Sequence, residues 1–242
     1  MIEFLTLYNI KNMGRGLPGS SLLREKLIKE YVLYAENEIK YEIYYYKNKD
    51  EYIFHFKIPS ESNYKYIKPF YYDTLFSFKP IQNMNSGSDS SLNPYKITVF
   101  SNMHSFIFTY TYIYYSKKYL IEWVPKKYYT KLALKNSPEK RNYYHIMNYE
   151  KSIYFSYLTI IMNNLYKKYI LNEKVTKISS YFNVLKNVKT QDDLLIDKKK
   201  FDKLYKIKDE KKLNLNKRKY IAKGMVKDHN FKEKFSFLLN NS

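Results

Sequence analysis

A chain of 242 residues fits one large domain or two small ones, and 45% hydrophobic with 27% charged residues is an ordinary globular balance. The absence of cysteine excludes disulfide frameworks, cysteine-ligated zinc and thiol chemistry together. A formal charge of +20 points toward nucleic acid or another anionic surface, yet only four of the 43 basic residues are Arg (Arg15, Arg24, Arg141, Arg218). Lys, Asn, Tyr, Ile and Phe share A/T-rich codons, so much of this charge reads as genomic bias. Selection for bidentate phosphate or base contacts would instead favour the planar fork of Arg. The 30 Tyr and 15 Phe stand against a single Trp, Trp123. Tyr joins an apolar body to a polar tip, which suits half-wet sheets and subunit interfaces.

Along the chain, Gly14 to Ser21 reads as a turn ending in N-cap residues, and Leu23, Leu27, Tyr31, Ala35 and Ile39 recur at helical spacing. An N-terminal helix is expected there. From Lys40 the period becomes two. Tyr41, Ile43 and Tyr45, a turn at Asn48-Lys49-Asp50, then Tyr52, Phe54, Phe56 and Ile58 predict a hairpin with one apolar face. Further strands are expected over 71–79, 95–101 and 105–115, the last as a central strand because both its faces are apolar, with a short sixth at 120–124. Residues 80–94 read as a polar loop. A short helix is expected at 126–134. A long buried one is expected from Tyr149 to about Leu171, with Asn148 as its cap. The fold class is therefore α+β, an antiparallel sheet of five or six strands with an N-terminal helix, a buried long helix and a basic helical tail. The expected division is a core domain, 1–171, and a lysine-rich tail, 172–242. Between Asp197 and Lys223 that tail carries 12 basic residues against four acids.

Motifs of chemistry are sparse. Gly14-Arg15-Gly16-Leu17-Pro18-Gly19 matches a dinucleotide fingerprint in letters, but the downstream strands read as an antiparallel meander, so a plain turn and helix cap is the expectation. His55, His104, His145 and His229 show no metal-ligand spacing, and Asp192-Asp193 and Asp209-Glu210 sit among lysines as counter-charges. No catalytic residue, metal or cofactor is expected. The candidate contacts to phosphate or an acidic partner are Lys198, Lys199, Lys200, Lys211, Lys212, Lys217, Arg218 and Lys219. Phe201, Tyr205 and Tyr220 are interleaved as candidate stacking rings. The first residues lack the basic segment and apolar core of a signal peptide. The most apolar stretch, 152–162, is far short of the ~20 residues a membrane span needs. A chain intracellular at synthesis, without a membrane span, is expected.

Three blocks carry a resemblance: 72–80 (YDTLFSFKP), 99–102 (VFSN) with 105–110 (SFIFTY), and 148–155 (NYEKSIYF). Together they resemble virion structural proteins of low-GC bacteriophages over roughly residues 40–165, leaving the basic tail outside. The resemblance implies a head, neck or tail component whose activity is contact with other subunits of a large particle. The alternative from the residues is a nucleic-acid-binding module, such as a divergent or organellar ribosomal protein, that sets its lysine tail on phosphates.

Overall fold

The computed structural model describes residues 5–34, 38–60, 65–81, 95–129, 147–171, 177–219 and 221–222. Two helices open the chain, α1 (Leu7–Lys11) and α2 (Ser20–Tyr34). Between them Gly14 has φ +77°, and a Cβ there would collide with the Asn148 side chain, so both conformation and space require glycine.

Four strands follow: β1 (Lys40–Tyr46), β2 (Glu51–Pro59), β3 (Tyr71–Pro80) and β4 (Tyr95–Ser101). They form one antiparallel sheet in the order β1-β2-β3-β4. Asp50, in the left-handed region, closes the first hairpin and sets the register Tyr46↔Glu51 through Lys40↔Lys57. The fold is α+β with four strands rather than five or six. Residues 105–115, expected as a central strand, are helical. A wide turn, Phe106–Tyr110, leads into α3 (Thr111–Ser116). The Thr111 hydroxyl donates to the Phe106 carbonyl at 3.2 Å, supplying a bond that the widened turn uses. Where both faces of a run are apolar, alternation does not discriminate strand from buried helix. The expected sixth strand is a single parallel bridge, Val99↔Leu120, that covers the β4 edge.

The helix expected over 149–171 is α4 (Lys151–Met162), capped by the Glu150 carboxylate, which accepts from the Ile153 N–H at 3.0 Å. It stops at Asn163, where Asn164 takes φ +49°, a conformation that Asn tolerates better than most residues. Tyr166–Leu171 is then a separate wide turn. Of the helix expected at 126–134, Lys126–Tyr128 forms one short turn and residues beyond 129 lie outside the described set. The chain continues with α5 (Tyr181–Leu185) and α6 (Gln191–Tyr205), and residues 210–219 are also helical.

The core lies in three layers. On one face of the sheet Phe54, Phe56, Phe76 and Phe78, all fully buried, meet α4, which in turn packs on α1 and α2. The other face carries Lys40, Glu42 and Tyr44 beside Lys57, His55 and Ile53, then Asp73, Leu75 and Ser77. Tyr128, Tyr129, α5 and α6 cover it. Val184, Val188 and Leu194 belong to the same buried core as the sheet, on the far side of the expected boundary at 171/172.

Candidate functional site

The polar face of the sheet holds two buried carboxylates. Glu51, wholly inaccessible, accepts from the Trp123 indole N–H at 3.0 Å and from the hydroxyls of Ser77 and Tyr181, with the Lys79 ammonium 3.7 Å away. Tyr181 also stacks on Trp123, with ring centroids 4.4 Å apart and planes within 5°. Burial and the Glu51 carboxylate both push the Tyr181 phenol far above its ordinary value, so it is a permanent donor.

At the other end of the face Asp73, 1% exposed, is ringed by donors. Its Oδ1 accepts from His55 Nε2 at 2.9 Å and from the Lys57 ammonium; its Oδ2 accepts from Asn102 Nδ2 at 2.8 Å and from the Lys189 backbone N–H at 3.2 Å. Burial alone would raise this carboxyl, but the hydrogen bond and charge of His55, joined by Lys57, outweigh it and hold Asp73 below its usual value. Asn102 also donates to the Lys189 carbonyl at 3.1 Å, and Gln191 Nε2 donates to the Asn102 carbonyl at 2.9 Å. The segment 181–191 is thus fastened to the sheet at both ends by carboxylates of β2 and β3.

Directly after the second fastening, Thr190 and Asp193 form a capping box that starts α6. At its far end the Tyr205 carbonyl accepts from the Ile67 N–H at 3.0 Å, and the Lys65 carbonyl accepts from the Ile207 N–H at 2.9 Å. Tethered at both ends, α6 leaves a groove of about 510 Å³ between itself and the open end of the sheet. Lys40, Lys57, Lys189 and Lys200 line it, with Phe70, Tyr71, Phe201 and Tyr205 as an aromatic wall. A second hollow of about 480 Å³, lined by Glu42, His55 and Asn187, shares Lys40 and Lys57 with the first. Lys57 is paired with Asp73 and Lys189 with Asp197, which leaves Lys40 and Lys200 without a carboxylate among the described residues. The Lys40 ammonium lies over the Tyr71 ring, 5.8 Å from its centroid. The arrangement suits an anion with a flat apolar part.

Of the residues expected to touch an anion, the groove gathers Lys200, Phe201 and Tyr205. Lys198 turns inward instead. It donates to the Tyr66 hydroxyl at 2.6 Å, pairs with Asp202 at 3.1 Å and lies over the rings of Tyr66, Phe70 and Phe201. Phe201 meets Tyr66, Phe70 and Tyr205 edge to face or tilted, so one side of it belongs to the core. Lys199 is exposed on α6, and Lys211, Lys212, Lys217, Arg218 and Lys219 are exposed on the helical residues 210–219; none of them lines the groove. Tyr220 lies outside the described residues. Lys40, Lys57 and Lys189 escaped the sequence reading, although a hairpin turning at Asn48-Lys49-Asp50 already places Lys40 opposite Lys57.

A smaller hollow of about 300 Å³ is lined by Ser60, Tyr66, Tyr72, Met103, His104, Ser105 and, from α6, Lys198. Burial and the Lys198 charge lower the His104 imidazole. Ser105 donates away from this hollow to Glu150 at 2.7 Å. Among the described residues no group of three His, Asp or Glu side chains is placed to hold a metal ion, and no helix is long and apolar enough to cross a membrane. Comparison with family models, with curated proteins and with solved structures finds no match to this chain.

Proposed function

We propose that this chain is a non-enzymatic component of a large assembly that works through contacts with neighbouring subunits, in keeping with the resemblance of residues 40–165 to virion structural proteins. The observation that carries the reading is the outer side of the C-terminal segment. Ile178, Phe182, Leu195, Ile196, Leu215 and Ile221 are six of the fourteen large apolar side chains exposed among the described residues, and Ile178 and Phe182 are 73% and 68% exposed. Single exposed apolar residues need no explanation, whereas a contiguous apolar patch marks a contact surface, and these side chains fall together on residues 178–221. Lys199 and Lys203 lie among them on α6, so the partner surface is apolar with an acidic rim.

Two further features support the reading. The carboxylate oxygens of Asp73 are each occupied by two donors of the chain itself, an arrangement suited to a clamp rather than to a general base. The sheet edges are covered where strand addition would occur. The Ile97 N–H donates to the Leu5 carbonyl at 2.9 Å beside β4, and the Tyr45 N–H donates to the Lys177 carbonyl at 2.7 Å beside β1. Association then runs through side chains.

Gradient sedimentation of the native source lysate, with and without nuclease, tests the proposal when this chain is followed by mass spectrometry. A fast-sedimenting particle that survives nuclease is the expected result. Migration near 29.5 kDa under both conditions would overturn it.

A further inference from the structure

We infer that the groove between α6 and the open end of the sheet binds a nucleoside phosphate unit of single-stranded nucleic acid, with the phosphate on Lys40 and Lys200 and the base against the wall of Tyr71, Phe201 and Tyr205. The inference does not depend on the subunit reading, which concerns the outer side of the C-terminal segment.

Charge provides the first argument. In a chain with 39 Lys, lysine on a convex surface means little. Here four lysines converge on one concavity, and its two aspartates are each already paired, Asp73 with Lys57 and Asp197 with Lys189. Two ammonium groups remain among the described residues, and the anionic phosphodiester backbone of a strand matches them. The pairing of strands provides the second argument. Lys40 and Lys57 are direct cross-strand partners, and like charges so placed are destabilising. Asp73 offsets the Lys57 side only. A bound anion relieves the remaining repulsion, which a purely structural arrangement would have avoided.

The aromatic wall decides the class of anion. Inorganic phosphate or a carboxylate needs no ring, whereas Tyr71, Phe201 and Tyr205 are each partly exposed where they line the groove. Base–aromatic stacking is indifferent to sequence because every base presents a π face. The volume, about 510 Å³ with a further 480 Å³ adjoining across Lys40 and Lys57, admits a nucleotide and the next phosphate of a strand. Single-strand rather than duplex binding follows, since stacking rings that form the wall of a groove reach only unpaired bases.

The test uses the full chain and a short fluorescent oligothymidylate, read by anisotropy across a salt series. The variants are Lys40→Gln with Lys200→Gln, against Lys211→Gln with Lys212→Gln as an equal charge loss on the exposed residues 210–219. The groove pair is expected to weaken binding about tenfold at low salt and to flatten the log–log salt dependence by roughly 0.7, for the one phosphate the two lysines neutralise. The control pair is expected to change affinity less than about twofold. The Lys40→Gln single variant should raise the thermal midpoint of the free protein while weakening binding, a combination that loss of fold cannot produce. Thymidine monophosphate should displace the probe at lower concentration than inorganic phosphate. Equal weakening by the two pairs, equal displacement by the two competitors, or no binding by the unaltered chain would each overturn the inference. None of these outcomes bears on whether the chain sediments with a particle.

Discussion

On one face of the sheet Phe54, Phe56, Phe76 and Phe78 lie under α4, and Ser152 of that helix donates to Ser101 of β4 at 2.8 Å. On the other, Glu51 and Asp73 hold Tyr181 and Lys189 of the C-terminal segment through donors aimed at buried carboxylates. The first attachment is made by area. Each fully buried aromatic contributes about 1.5–3 kcal/mol, with little directional demand and no proton to gain or lose. The second is made by geometry and charge. It gives little net stability over an apolar replacement, but it is costly to break from one side only. One sheet thus carries a permanent layer and a titratable one.

Deepening the apolar side's defect gives the largest effect. Phe76→Ala leaves a cavity between Phe56 and Phe78 and is expected to cost about 4 kcal/mol in urea unfolding, by the same amount at pH 7 and in mild acid.

On the polar side Asp73→Ala strands His55 and Lys57 and is expected to cost about 3 kcal/mol at pH 7. Its pH dependence separates the two layers. The folded Asp73 carboxyl titrates below its ordinary value, so its contribution is fully present above about pH 4 and is lost as pH falls through that lower folded value. Trp123, the sole tryptophan, stacks on Tyr181 and therefore reports docking of the segment by fluorescence. The unaltered chain should lose that signal in acid before the apolar layer melts, and the Asp73→Ala variant should show a flat profile over the same range. Coincident loss of both layers would refute the idea of two attachments.

Tyr181→Phe keeps the ring stack and removes one donor from Glu51, with an expected cost of about 1–2 kcal/mol and increased proteolysis within 177–205. Least of all, Ile196→Ser on the exposed side of α6 is expected to stay within about 0.5 kcal/mol in the isolated chain while reducing recovery in the sedimenting particle.

The hairpin 40–59 and the strands 71–80 and 95–101 could be read from the sequence because period-two alternation is a local property when one face is apolar. The N-terminal helix was legible for the matching reason at period 3.6. Residues 105–115 were not, because Phe106 to Tyr115 offers apolar side chains at both parities and only the Thr111–Phe106 bond and the surrounding core select the wide helical turn. Glu51, His55 and Lys57 alternate with aromatics as any solvent-facing positions would, yet Glu51 and His55 are buried. What covers them arrives from residues 123–129 and 181–194, a contact that no local pattern encodes. The groove shows the same division. Lys200, Phe201 and Tyr205 announce themselves as a basic and aromatic run, whereas Lys40, Lys57, Lys189 and Tyr71 become neighbours only when α6 lies across the strand ends. Local pattern specified the four strands that form, a buried helix within 149–171 and the charge, while it misassigned 105–115. Which of those charges are neutralised and which face an open groove follows from the packing of α6 across the strand ends, where Lys57 and Asp73 of the sheet are brought beside Lys189, Asp197 and Lys200.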